Sequence, residues 1–550
     1  MANCAFAVFA AFSMSIDSRI RRSQVPTRVL WQEGAHNAEI TLSNDIGQAR
    51  AGQFPGCTLQ PGGGLLLDFG RELHGGLQLV CGPIPNNRAV KLRVRFGESA
   101  SEAMGQPNND HALHDMKIVL PPMSAQEYGM TAFRFVRLDS LEEHLEIPLV
   151  AARAMTLMRP LEHVGAFECD DERLNQIWQT GADTVALCMQ DFLWDGPKRD
   201  RLVWMGDLHP EIAVVSAVWG AHEIVPQSLD WVRDHTHQAE WMNGIGSYSM
   251  WWILIQRDWF VAHGNREYLD QQREYLLNLL PHILEQIGAD GLVNWRGSQF
   301  LDWPSVPQPE AVRAGLVALL VMALEAAAQI CAVWGETDVE ALCRDALLKL
   351  RGATLVIPRE NKQASSLVAL ADLVPAMAIN DEVLAVEPLR GLSTFYGYYV
   401  LQARALAGDY DGALDVIRNY WGAMLDLGAT SFWEHFELKW AEGAARIDEI
   451  PLPQQLDIHR DCGDYCYKGW RHSLCHGWAA GPTAWLSQHV LGVEVSDGGS
   501  KVRLNPQLGD LQWARGAFPT PHGPLKVSHR RVDDEIETEF EAPEGVEVIQ

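Results

Sequence analysis

Fourteen residues, Trp194 to Asp207, mix reactive and recognition groups: Asp195, Asp200 and Asp207, Lys198, Arg199 and Arg201, Trp194 and Trp204. Charge content alone would describe a solvated, salt-bridged loop. Two tryptophans do not suit that role, and Gly196-Pro197 and Gly206 mark turns. The mixture suits a sugar, whose C–H faces stack on indoles and whose hydroxyls bond to carboxylate–arginine pairs. A second stretch, Gly428 to Glu437 with Trp440 beyond it, places Glu434 beside Trp433. A glutamate next to a tryptophan is usually structural, so the pairing of the two stretches carries the reading. Glycoside hydrolysis needs one carboxyl to protonate the leaving oxygen and one carboxylate to attack carbon or activate water. Indole walls raise a carboxyl's pKa and a nearby arginine lowers it, so two acids can be set apart.

Other residues stand beside these. Asp302-Trp303-Pro304, after Trp295-Arg296-Gly297, reads as a loop between helices, evenly divided between site and scaffold. Trp252 and Trp259, at i and i+7, face the core, while Trp241 and Trp251 are the better sugar-stacking surfaces. Glu437 lies three residues from Glu434, close enough on a helix to orient or replace it. His476 either donates to a sugar hydroxyl or satisfies a loop carbonyl. His235 and His237 read as exposed helical histidines, and Cys462, Cys466 and Cys475-His476 match no common zinc spacing, so no metal is expected. G-x-S-x-G, P-loop and dinucleotide motifs are missing, which removes support for acyl transfer, nucleotide hydrolysis and hydride transfer. No cofactor is implied.

These residues need a scaffold. Residues from about 15 to 160 alternate with period two between Gly/Pro/Asn clusters, as in Val90 to Phe96, and predict a β-sandwich. From about 165 the period becomes helical. Asp170 and Asp171 can cap a helix carrying Leu174, Ile177, Trp178, Val185 and Cys188, and close to a dozen helical stretches follow without βαβ alternation or a short repeat. That pattern favours a closed helical toroid over a solenoid. The last sixty residues return to short strands. The expected division is an N-terminal apolar extension over 1–14, a β-sandwich over 15–162, a helical catalytic domain over 163–490 and a small β-domain over 491–550.

Composition narrows the partners. The 550 residues carry 44 basic and 71 acidic side chains, a net charge of −27 that disfavours nucleic acid and anionic membrane surfaces. Twenty tryptophans are present, and only Trp31 and Trp513 fall outside the stretch from Trp178 to Trp485. The ten cysteines read as small buried residues of a reducing compartment. The apolar run Cys4 to Met14 has the length of a signal-peptide core but lacks a basic flank and a clear cleavage site, so a cytoplasmic protein is expected, with secretion left open. Ala314 to Ala328 contains Glu325 and is too short to span a bilayer, which makes it a buried helix.

Asp195 to Asp207 resembles the D-x-P-x-R-E-[KR]-x-G-W-x-G-D signature of glycoside hydrolase family 78, the α-L-rhamnosidases of the six-hairpin glycosidase superfamily. Gly428 to Glu434 is similar to that family's G-x-T-[ST]-x-W-E. Asp302-Trp303, Ser473 to His476, Pro506 to Gly523, and Asp68-Phe69-Gly70 with His74-Gly75-Gly76 follow the family in order. The resemblance implies an (α/α)6 barrel and inversion at the anomeric carbon without cofactor. It places Asp200 at the general acid and Glu434 at the general base, with Asp195, Arg199 and Asp207 at sugar-binding positions. Trp204, Trp251, Trp303, Trp433 and His476 complete the expected site. Three departures stand out: Asp200 where the family has Glu, Val203 where it has Gly, and Cys475 where it has Asn. The short chain favours a small rhamnoside over a polysaccharide, and some short relatives are homodimers. The competing readings are a glycosidase, phosphorylase or lyase of the same fold on another sugar, and a sugar-binding pseudoenzyme.

Overall fold

The computed structural model describes residues 17–44, 56–106, 114–237, 240–533 and 535–550. The apolar run Cys4 to Met14 lies outside them.

The N-terminal strands form one seven-stranded sheet. It is a single sheet because one strand, Cys57–Cys81, runs through both halves. Its first part pairs with Arg28–His36, and its last part pairs with Ile147–Met158, Gly75 opposite Thr156 and Val80 opposite Ala151. The register breaks between Asp68 and Leu73, where Gly70 adopts φ +83°, a left-handed value that glycine accepts without strain. Leu65, Leu67, Leu77, Leu79, Phe133 and Val136 fill the interior of this layer.

The helical region begins as the capping residues predict. Asp171 accepts hydrogen bonds from the amides of Arg173 (2.9 Å) and Leu174 (3.3 Å), opening the helix Glu172–Cys188. Six helices pack pairwise in turn: Met205–Val218 on Gly246–His263, then Pro309–Trp334, Lys362–Leu370, Gly397–Leu406 and Gly481–Trp485, the last returning to the first. Gly246–His263 is buried on every side over its first eleven residues, as a helix within a core must be. Pro309–Trp334 has 26 residues, long and apolar enough to cross a bilayer, so shortness does not make it a core helix. Its burial against Gly246–His263 and Lys362–Leu370 does. Two later helical stretches contain π-turns, at Ile417–Trp421 and Leu486–Val490.

Two further sheets lie at the C-terminal end. One of them recruits Ala166–Cys169, paired antiparallel with Trp513–Thr520, so the entry to the helical region is stitched to the end of the chain. Asp68 binds Arg134 (2.8 Å), whose guanidinium also donates to the Gly428 carbonyl (3.0 Å). The N-terminal sheet is thereby fastened to the start of the Glu434 segment.

Candidate active site

The Asp195–Asp207 stretch is a closed loop. The Asp195 amide donates to the Leu202 carbonyl (3.1 Å), and the Leu202 amide donates back to Asp195 Oδ1 (2.9 Å). Asp200 and Arg201, at the turn, both adopt left-handed backbone, φ 54° and 56°. Asn243 clamps the far side: its amide donates to the Val203 carbonyl and its oxygen accepts from the Met205 amide, both at 3.0 Å. Trp204 is thereby fixed at the head of the Met205–Val218 helix, partly exposed and edge-on to Tyr248.

Glu434 sits at a bend in a buried, irregular segment, not in a helix. Its amide donates to the Ser473 carbonyl (3.0 Å), and its carbonyl accepts from Thr394 Oγ1 (2.6 Å) and Trp478 Nε1 (2.8 Å). The Ser473 amide donates to Glu434 Oε2 (3.2 Å). Thr184 holds the Phe432 amide (2.9 Å), and Ser431 reaches the Leu474 carbonyl (2.8 Å). Both the amide and the carbonyl of Glu434 are engaged, as preorganised chemistry requires.

The two segments meet at Arg199. One of its terminal nitrogens donates to both Glu434 carboxylate oxygens, and the other lies 3.3 Å from Asp200 Oδ2. Nε holds the Arg471 carbonyl (2.9 Å). Burial works against the Arg199 charge, but Glu434 and Asp200 outweigh it and its pKa is raised. Of the two acids, Asp200 has the open side chain, 34% exposed, against 4% for Glu434.

Asp207, in the first turn of its helix, accepts from His476 Nε2 (3.0 Å) and Tyr248 Oη (3.2 Å). Burial raises its pKa against those hydrogen bonds. Burial disfavours charge on His476, yet Glu434 and Asp207 hold its pKa above the ordinary value. Burial pushes the Asp195 carboxyl well up.

Asp195, Arg199, Asp200, Asp207, Glu434 and His476 are thus brought into one network. Trp303 is partly exposed and joins it through Tyr467, which stacks on His435, while Tyr465 stacks on Trp303. Two expected sugar-stacking surfaces are not surfaces. Trp251 has no exposure and is stacked between His209 and Tyr399, because the inner helix carrying it is buried all round. Trp433 is 1% exposed and meets Phe436 edge-on; every residue from Phe432 to Phe436 is enclosed. Glu437 does not reach Glu434. It pairs with His435 and Lys439, and the His435 ring beside it is the main reason its pKa falls to about 2.

Sequence reading missed Asn243, Tyr248 and Glu211. Glu211 lies one helical turn beyond Asp207 with no exposure, and neither carboxylate oxygen has a hydrogen-bond partner among the described residues. Burial raises its pKa well above the ordinary value, and Asp207 and Asp195 raise it further. A carboxyl whose pKa is higher folded than unfolded costs nothing below its unfolded value, near 4.3, and destabilises progressively as pH rises above it. Glu211→Gln removes that slope. Stability measured by urea unfolding should fall less steeply between pH 5 and 8 in the variant, by up to about 1.4 kcal/mol per pH unit. Parallel curves for the two proteins would show Glu211 to be ionised in the fold.

Residues 162–351 match the family model of the bacterial alpha-L-rhamnosidase six-hairpin glycosidase domain, and residues 492–549 that of the bacterial alpha-L-rhamnosidase C-terminal domain. The chain resembles glycoside hydrolase family 78. No curated protein matches it. Among solved structures it is similar to the family 78 rhamnosidase of Bacillus sp. GL1, at 24% identity and TM-score 0.71, over 88% of this chain and 52% of that one. It is also similar to a rhamnosidase from Klebsiella oxytoca with rhamnose bound, at 20% identity and TM-score 0.69, over 86% and 96% respectively. The α-L-rhamnosidase of Streptomyces avermitilis, complexed with L-rhamnose, gives 15% identity and TM-score 0.68 over 96% and 49%. The chain therefore spans about half the length of the Bacillus and Streptomyces proteins. At these identities the likeness shows the fold: a helical domain of the glycosidase type accompanied by β-domains.

Proposed function

We propose that the chain is an inverting exo-α-L-rhamnosidase, with Asp200 as general acid and Glu434 as general base. The observation that carries this reading is the placement of Asp200 and Glu434 against different nitrogens of one guanidinium. Asp200 is open to a ligand, and Glu434 is held rigidly beneath. The six helices that pack pairwise in turn are read as the inner ring of an (α/α)6 barrel, with the site at one mouth. Asp200 gives its proton to the glycosidic oxygen as the bond from that oxygen to the anomeric carbon breaks. Glu434 takes a proton from water while the water oxygen bonds to that carbon from the opposite face. Free sugar and aglycone alcohol leave, and the two carboxyls regain their starting states through solvent.

Arg199 changes role in this reading. The resemblance assigns it to the sugar, but its nitrogens are spent on Glu434, Asp200 and the Arg471 carbonyl, so it sets the two acids relative to one another. Trp204 and Trp303, which keep exposed surface, are the stacking faces for the sugar. Asp207 with His476, and Asp195, supply polar groups below. The substrate is a terminal α-L-rhamnosyl residue, supported by the rhamnosidase domains matched and the rhamnose bound in two of the similar structures. Proton NMR of an aryl α-L-rhamnoside digest tests this directly. The β-anomer of L-rhamnose should accumulate first and the α-anomer follow by mutarotation. Appearance of the α-anomer first, or no release, overturns the reading.

A further inference from the structure

Glu98 follows the strand Val90–Gly97 of the N-terminal sheet, about a hundred residues before the acid loop and far from both motifs in sequence. The next residue, Ser99, caps the short helix Ala100–Met104 by accepting from the Glu102 amide (3.1 Å), and Glu102 Oε2 in turn accepts from the Glu98 amide (2.8 Å). This resembles a capping box shifted by one residue, and it turns both carboxylates inward. Their side chains are 0% and 2% exposed.

Between them stands Lys198, 1% exposed. Its ammonium lies 2.9 Å from Glu102 and 3.3 Å from Glu98 and donates to the carbonyls of Trp470 (2.5 Å) and His472 (3.1 Å). Glu98, Glu102 and His459 offer ligand atoms within 4.8 Å of one another, a grouping a cation could fill. The lysine supplies the cation here.

Glu98 does more than neutralise it. Oε2 accepts from the Leu474 amide (2.7 Å) and Oε1 from the Ser473 hydroxyl (3.2 Å). Ser473 is the residue whose amide binds Glu434, and Lys198 adjoins Arg199 and Asp200. One carboxylate from the N-terminal sheet therefore holds the segment under the base and, through Lys198, the loop that carries the acid.

We propose that Glu98 is a positioning residue of the catalytic pair, through which the N-terminal β-region fixes the Asp200 loop against Glu434. This rests on the assignment of Asp200 and Glu434 above. Glutamine keeps the shape of the side chain but not the charge that faces Lys198. A carboxylate accepts from Ser473, Leu474 and Lys198 together. A carboxamide has one accepting oxygen, enough for Leu474 and Lys198, and its NH2 can only donate to the Ser473 hydroxyl, which keeps the Cys475 carbonyl (2.9 Å) as its own acceptor. The Ser473 bond reverses, the lysine loses an anionic partner, and the pair shifts. A displacement of about 1 Å at reacting groups is worth on the order of 100-fold in rate.

The test is Glu98→Gln in the full chain, assayed on an aryl α-L-rhamnoside. Turnover should drop about 30-fold, while KM and L-rhamnose affinity by calorimetry stay within about threefold and circular dichroism is unchanged. Hydrogen exchange at the 473–474 amides should quicken at least tenfold, and Glu98→Asp, which restores the charge, should recover part of the turnover. Should Glu98→Gln fail to fold, Ser473→Ala removes the hydroxyl that donates to Glu98, along with its bonds to Cys475, and no buried charge, and is expected to slow turnover severalfold with the same rise in exchange. A folded Glu98→Gln with native turnover and native exchange overturns the proposal. If Glu434→Gln is inactive at the same time, only the positioning role has failed. If the native chain cleaves no rhamnoside, the assignment of function fails and exchange alone decides: unchanged protection at 473–474 overturns the positioning role.

Discussion

Glu434→Gln should lower turnover by about 10²–10⁴-fold, the range a lost general base produces, while leaving the fold and L-rhamnose affinity intact. The substitution keeps the shape of the side chain and one oxygen to accept the Ser473 amide. The backbone bonds to Ser473, Thr394 and Trp478 do not involve the carboxylate and persist. What disappears is the ability to take a proton from water, together with the charge that faces Arg199. Two features separate this from a structural loss. The decline should be the same for glycosides with good and poor leaving groups, because water activation does not depend on the aglycone. Azide, which attacks without losing a proton, should restore cleavage and give a rhamnosyl azide of inverted configuration. Native rates in the variant, or azide giving no new product, would remove Glu434 from the base position.

The two acidic stretches were legible because each packs its reactive residues within about a dozen positions, so local sequence order and spatial order agree. The helix cap at Asp171 and the strand texture of both ends were legible for the same local reason. Orientation was not. Trp251 and Trp252 are adjacent in sequence, and spacing suggested that one faced a sugar, but a helix surrounded by other helices has no outward side. Trp433 misled through its neighbour: standing beside Glu434 says nothing about exposure in an irregular segment whose residues from Phe432 to Phe436 are all buried. The role of Arg199 depends on where Glu434 lies, 235 residues away, and that of Glu98 on Leu474, 376 residues away. Pairings of that range leave no trace in periodicity or composition. Ala166–Cys169 reads locally as the entrance to the helices, yet its hydrogen bonds are to Trp513–Thr520, so only the closed fold reveals its sheet.

Asp200→Asn should cut turnover on a glycoside with an alkyl or sugar leaving group by about 10³-fold, and on a dinitrophenyl rhamnoside by far less. The reasoning begins with the backbone. Asp200 and Arg201 are consecutive residues in left-handed conformation, each costing on the order of 1–3 kcal/mol unless the surroundings impose it. Here the Asp195–Leu202 bonds close the loop and Lys198 anchors it from below. Asp and Asn are among the non-glycine residues that accept this conformation most readily, so the amide preserves the turn and alters only the chemistry. The same preference gives a physical reason for the shorter acid at a position where the family has glutamate. A departing alkoxide needs a proton as the bond breaks, whereas a dinitrophenolate leaves without one, so loss of the acid is felt only by the first. Equal losses on both substrates would mean that Asp200 binds hydroxyls and donates no proton. The acid would then have to be sought at Asp195, which is buried in the same loop with its carboxyl pushed well up, and Asp195→Asn should then show the leaving-group dependence that Asp200→Asn lacks.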